Sequence, residues 1–207
     1  IQVEGKYKQI NYIRKSIKAV IDAYDGTTKF YITDSTDPIA MSYYNMYPEL
    51  FVDKNESIPE DIQKNIVYPE FLYKIQATVL ERYHNVNTEI LYRSDDVWEA
   101  DRQIGSDDMN KISVEPYYTV LKTSDATSEE LGLVLPYTKA NKQSLNSYLV
   151  GTYGDGKNKL TMYKLISDTT LPAIQQLNVQ IDQDKTISDE LEKINTTGTQ
   201  IIRKTYI

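Results

Sequence analysis

Apolar residues recur along this chain at two different periods, and no single kind of secondary structure accommodates both. In the stretch from 69 to 83, Leu72, Ile75, Val79, Leu80 and Tyr83 return every three to four residues. That spacing places one apolar stripe along a helix opened by Pro69-Glu70. From Val114 the character changes. The segments 117–122, 132–137 and 160–165 are short, β-branched or aromatic, and bounded by turn residues, so they read as strands. After Pro172 the helical period resumes with Ile174, Leu177 and Ile181, then Ile187, Leu191 and Ile194, before a strand-like run at 200–206. The expected class is α+β: a mixed or antiparallel sheet of about four to six strands with several packed helices.

The first third of the chain reads as mostly helical. Ile13, Ile17, Val20, Ile21 and Tyr24 fit a helix ended by Asp25-Gly26, followed by a short strand at 29–32. Helical segments continue from Asp37-Pro38 to about residue 92, with Pro59-Glu60 opening another first turn. Charged and aperiodic, 93–109 reads as a loop ordered only by packing Trp98, and 143–149 reads as a helix between two strands. With no internal repeat and no linker rich in Pro, Gly and Ser, one domain over 1–207 is expected, with a helical half to about 112 and a strand-rich half from about 113. A chain of 207 residues buries roughly 70% of its unfolded surface and needs no staples.

Composition removes several function classes. Lys and Arg number 23 against 30 Asp and Glu, and a net charge of -7 opposes the phosphate backbone that dominates nucleic-acid affinity. There is no cysteine for a disulfide, a thiolate metal site or a thiol nucleophile. A single histidine, His84, leaves a catalytic zinc dependent on carboxylates and a catalytic triad with one possible base. No apolar run approaches the roughly 18 residues of a membrane span.

The glycines of GTYGDGKNK, 151–159, imitate a phosphate-binding loop. Such a loop requires a following helix and a hydroxyl after its lysine, whereas Asn158 replaces the hydroxyl and 160–165 alternates like a strand. Asp155-Gly156 is instead a strong hairpin dipeptide, so no nucleotide is expected. Asp182-Gln183-Asp184 begins like a calcium loop, but Ile187 and Lys193 stand where that loop needs Gly and Glu; Asp184 suits a cap of the next helix. Asp34-Ser35-Thr36-Asp37 and Asp95-Asp96 are either caps and turns or ligands of a weak surface calcium site. No other cofactor or metal is expected.

Eighteen tyrosines against three Phe and one Trp are either half-buried packing residues or rigid contacts for sugars, peptides or partner proteins. His84, beside Tyr83 at a helix end, is either a general base or a cap of the last carbonyls. Trp98 is either buried to hold its loop or available to a ligand, with Tyr83 and His84 contributing a ring and a nitrogen.

Several blocks together resemble a known family. The run from Asn11-Tyr12-Ile13-Arg14-Lys15-Ser16 to Asp22-Ala23-Tyr24-Asp25-Gly26 is similar to a signature of the large bacterial membrane proteins grouped as uncharacterised protein family 0182. Asp37-Pro38, Tyr47-Pro48, Ile58-Pro59-Glu60-Asp61, Tyr68-Pro69-Glu70, Tyr83-His84, Trp98-Glu99, Glu115-Pro116-Tyr117-Tyr118, Leu135-Pro136-Tyr137-Thr138, Ile181-Asp182-Gln183-Asp184 and Ile201-Ile202-Arg203 follow in family order. The resemblance implies a parent protein with several N-terminal membrane spans and a long extracytoplasmic region, of which this chain is an excised part. It carries no catalytic residue or cofactor across. The expected function is non-catalytic binding of an envelope component or partner protein on the outer side of the cell membrane. The alternative is a carboxylate-dependent enzyme acting on envelope polysaccharide, which would require two carboxyl groups facing each other across a cleft.

Overall fold

The computed structural model describes residues 2–3, 6–7, 12–104, 112–124, 126–140, 142, 144–154, 156–165 and 171–195. They form two compact units divided between Ile66 and Val67. The strand expected at 200–206 lies outside the described residues.

The first unit opens with a short antiparallel ladder of β1 (Gln2–Val3) and β2 (Lys6–Tyr7), followed by the hairpin of β3 (Ile17–Ile21) and β4 (Thr28–Ile32). The helix expected over 13–24 is therefore a strand. Ile17, Ala19 and Ile21 satisfy a period of two as well as the longer period, and β-branched residues favour the extended choice. The loop decides it: Asp22 accepts from the Gly26 amide at 3.0 Å, and Gly26 takes a positive φ of 76° open to glycine. Helix α1 (Pro38–Met46), a 3-10 turn (Pro48–Leu50) and the short α2 (Glu60–Gln63) follow. Asp37 caps α1, its carboxylate accepting from the Ile39 amide at 3.0 Å, Tyr12 at 2.7 Å and Ser16 at 2.5 Å. These donors, Ser16 first and then Tyr12, hold its carboxyl down at about 2 despite burial. Asp34 is turned to the Thr36 amide at 2.9 Å and pairs with Arg14.

The second unit is a six-stranded antiparallel sheet with helices. Helices α3 (Glu70–Tyr83) and α4 (Thr88–Arg93) precede β5 (Trp98–Ala100), β6 (Tyr117–Leu121), β7 (Glu130–Lys139), β8 (Ser144–Gly154), β9 (Lys157–Lys164) and β10 (Leu171–Pro172). The chain then enters α5 (Ile174–Gln183) and α6 (Lys185–Ile194). Strands β7 and β8 form the centre, with β5 and β6 sharing the outer edge of β7, and β9 and β10 that of β8.

Two further sequence expectations are corrected here. Residues 144–149 of the segment expected as a helix belong to β8, a central strand paired on both sides, whose ladders with β7 and β9 override the local pattern, and residue 143 lies outside the described set. The supposed loop 93–109 contains β5, recruited by pairing with β7; its residues 105–109 lie outside the described set. Other expectations hold: Asp184 caps α6 through the Ile187 amide at 3.0 Å, and 151–159 forms the turn region of the β8–β9 hairpin, with Gly156 at a φ of 76°.

The pleat sorts this sheet into two faces. Leu133, Leu135 and Tyr137 of β7 share the first with Leu149 of β8, and pack with Trp98 and with Tyr68, Tyr73 and Ala77 from the α3 region. Buried phenols must find acceptors, and they do: Tyr73 donates to the Leu149 carbonyl at 2.8 Å and Tyr137 to the Ala77 carbonyl at 2.9 Å. Burial pushes both phenols above their ordinary range, and Tyr68 up to about 12.

Candidate functional site

Of the three residues that sequence reasoning brought forward, the structure joins two. His84 is the C-cap of α3, with Nδ1 2.8 Å from the Leu80 carbonyl and Nε2 3.1 Å from Asp96. The Leu80 carbonyl and an ionised Asp96 carboxylate both only accept, so the two bonds are made together by a ring that carries a hydrogen on each nitrogen. The ring stacks on Trp98 with centroids 3.6 Å apart and planes within 16°. Trp98 itself is a core anchor, 3% exposed. Tyr83, the third, is 63% exposed.

The sequence did not reveal what completes this cluster. Asp96 accepts from His84, from the Trp98 indole at 3.3 Å and from Lys139 at 3.1 Å, tying α3, β5 and β7 together. Burial alone would raise the Asp96 carboxyl, but the hydrogen bonds and charges of His84 and Lys139 outweigh it and hold it at about 2. Lys164 places its ammonium 5.4 Å from the Trp98 ring. With His84 stacked on the indole and three donors on the carboxylate, the cluster is a brace between elements.

The carboxyl groups displaced upward elsewhere in the second unit are also engaged. Burial raises Asp101, opposed by the amides of Ile174 and Arg102, which it accepts at 3.0 and 2.7 Å, so that it anchors the first turn of α5. Burial likewise raises Glu81, against the Ala100 amide. Among the described residues, no group of three or more His, Cys, Asp or Glu side chains is placed to hold a metal ion.

The concave site lies on the second face of the sheet, where sequence reasoning had placed nothing. A half-open pocket of about 440 Å³ has Val134 and Val150 in its floor, 4% and 2% exposed. Tyr148 and Tyr163 form one wall, directly paired across β8 and β9, with ring centroids 5.2 Å apart and planes within 21°. The opposite wall is β6 and the segment after it, including Thr119, Lys122 and Ser124. That segment is braced to the tyrosine wall by the Ser124 amide, which donates to the Tyr163 hydroxyl at 3.4 Å. Among the described residues, no carboxylate lines the pocket. Its size and its mixture of apolar floor and few polar groups suit a small ligand or one unit of a larger one.

Comparison with known proteins adds a family but no chemistry. The model of Uncharacterised protein family (UPF0182) matches residues 2–194. A UPF0182 protein of Caldicellulosiruptor saccharolyticus is 39% identical over 93% of this chain and 21% of its own length. Relatives from Clostridium acetobutylicum and Trichodesmium erythraeum are 36% and 33% identical, each over 94% of this chain and 22% and 21% of their own lengths. The chain thus spans about a fifth of these relatives. No solved structure matches it. A family model that covers nearly the whole chain, and relatives that agree with it from several bacterial lineages, establish that the chain belongs to Uncharacterised protein family (UPF0182).

Proposed function

We propose that this chain is a non-catalytic binding module in the extracytoplasmic region of a multi-spanning bacterial membrane protein, and that it holds a component of the cell envelope. The observation that carries the binding reading is the pocket on the second sheet face: rigid stacked tyrosines over an apolar floor, with no carboxylate among the described residues of the lining. Rigid amphipathic rings give contact area with little entropy to lose, which suits recognition. Glycoside hydrolysis requires two carboxyl groups flanking the bond, and the two raised carboxyls of this unit, Glu81 and Asp101, do not line the pocket. The membrane placement rests on the block-by-block resemblance in sequence.

The experiment is co-sedimentation of the protein with purified cell walls, paired with an assay for new reducing ends. Saturable sedimentation that falls on Tyr163→Ala, without release of reducing ends, is the expected result. Release of sugar ends by the wild-type chain would replace the module with the enzyme.

A further inference from the structure

The chemistry around the pocket narrows what it accepts, resting on the binding reading above. The tyrosine wall offers ring faces and edges of rigid, half-buried side chains, and the Val134 and Val150 floor excludes water beneath them. Surfaces of that kind select a ring with an apolar face. Hydroxyl groups of Thr119, Ser124 and the two tyrosines surround the same space, matching a ligand with many hydroxyls of its own. Thr123, which also lines the pocket, already donates to Glu130 at 2.9 Å, and so presents acceptor capacity.

Charge supplies the remaining constraint. The chain carries a net charge of -7, yet among the described residues this pocket has no acidic side chain in its lining and one cation, Lys122. Lys74, Arg93 and Lys139 of this unit are matched to carboxylates. Lys122 forms no ion pair among the described residues. An unmatched ammonium beside a polyhydroxylated, aromatic-walled pocket complements an anion attached to a sugar.

We infer that the pocket binds an acidic sugar unit, a pyranose bearing a carboxylate or a phosphate, with its ring against Tyr148 and Tyr163 and its anionic group at Lys122. The shared requirement is a negative charge on a stacked ring, whichever acid provides it. An exposed pairing of this kind is screened by salt, so binding of the acidic sugar should weaken as ionic strength rises while that of a neutral sugar holds.

Saturation-transfer NMR titrations of glucuronate, glucose 6-phosphate, glucose and inorganic phosphate test this, on the wild-type chain and on Lys122→Ala. Lys122 is exposed, so its truncation leaves the core untouched. At least one acidic sugar should bind roughly fivefold more tightly than glucose, the upper range for an exposed ion pair, and Lys122→Ala should erase that difference. Preference for glucuronate or for glucose 6-phosphate identifies the acid. Equal affinity for glucose and both acidic sugars overturns the charge assignment, and inorganic phosphate binding as tightly as glucose 6-phosphate overturns the ring assignment. If none of the four binds while wall co-sedimentation persists, the acidic-sugar inference falls and the binding module stands. Loss of both removes the two together.

Discussion

Tyr73 crosses the core to reach the Leu149 carbonyl, and its ring occupies the space that a side chain at residue 151 would need. A Cβ built on Gly151 would stand 2.7 Å from that ring, whose position is fixed by its hydrogen bond and by Tyr68 packed edge-on at 5.8 Å. The glycine that imitates a phosphate loop in sequence is thus required by packing. Gly151→Ala should destabilise the second unit by about 1–3 kcal/mol, the usual cost of overpacking, as read from the urea midpoint. An unchanged midpoint would show that Tyr73 moves aside freely. Asp96 governs a different response. Its carboxyl is held at about 2, below the ordinary 3.8, so the native state favours the ionised form. The stability it contributes is complete above the unfolded value and is lost as pH falls from about 4 through about 2. In Asp96→Asn that part of the acid limb should flatten relative to wild type in pH-dependent urea melts, and identical acid limbs would remove the brace. Trp98, buried between His84 and the sheet, should emit in the blue and resist acrylamide, whether or not envelope glycan is present. A red, quenchable spectrum would return it to the surface.

At the scale of elements, the β8–β9 hairpin separates a resemblance in residue order from a resemblance in geometry. A phosphate site needs successive amides at the start of a helix, and here the lysine after the glycines opens a strand, with Lys157 paired to Gly154. Titration calorimetry with magnesium ATP should therefore give no binding heat; micromolar affinity abolished by Lys157→Ala would refute this. The same hairpin shows how much the sequence discloses. Its Asp-Gly turn was legible, but reading 143–149 as a helix hid that the register running back from that turn sets Tyr148 opposite Tyr163, the wall of the pocket. What could not be read was the other wall, because β6 reaches the site only by pairing with β7 across a long separation. Helix α3, strands β4, β6, β7 and β9, and the Asp184 cap were legible because local pattern and tertiary demand agree there. Strands β3 and β8 were misread where they diverge: Ile17 and Ile21 fit either period, and β8 is covered on both faces over much of its length, so alternation does not mark it. His84 was identified, but its partners Asp96 and Lys139 come from separate elements that only the folded sheet brings together.

For the whole molecule, the proposal to be tested is that it faces outward from a membrane. No helix among the described residues is long and apolar enough to cross a bilayer, and the chain spans about a fifth of its relatives, so the answer belongs to the parent protein. Net charge does not supply it. The lysine and arginine bias that orients membrane proteins acts in short loops near the spans, whereas long domains translocate largely regardless of charge, so -7 suits either side. Two features favour the outside. The blocks from Asn11 to Gly26 and onward resemble a family whose expected plan sets N-terminal spans before a long extracytoplasmic region. In addition, the acidic sugar proposed for the pocket is of a class that an envelope offers on that side. If the module faces outward, protease added to intact protoplasts that express the full-length parent should cleave within this region, detected by an epitope tag placed beyond it. A cytoplasmic marker in the same cells must stay intact to show that the membrane held. Protection of the region until lysis, with the marker and the module then cut together, would place it inside and separate the pocket from any envelope ligand.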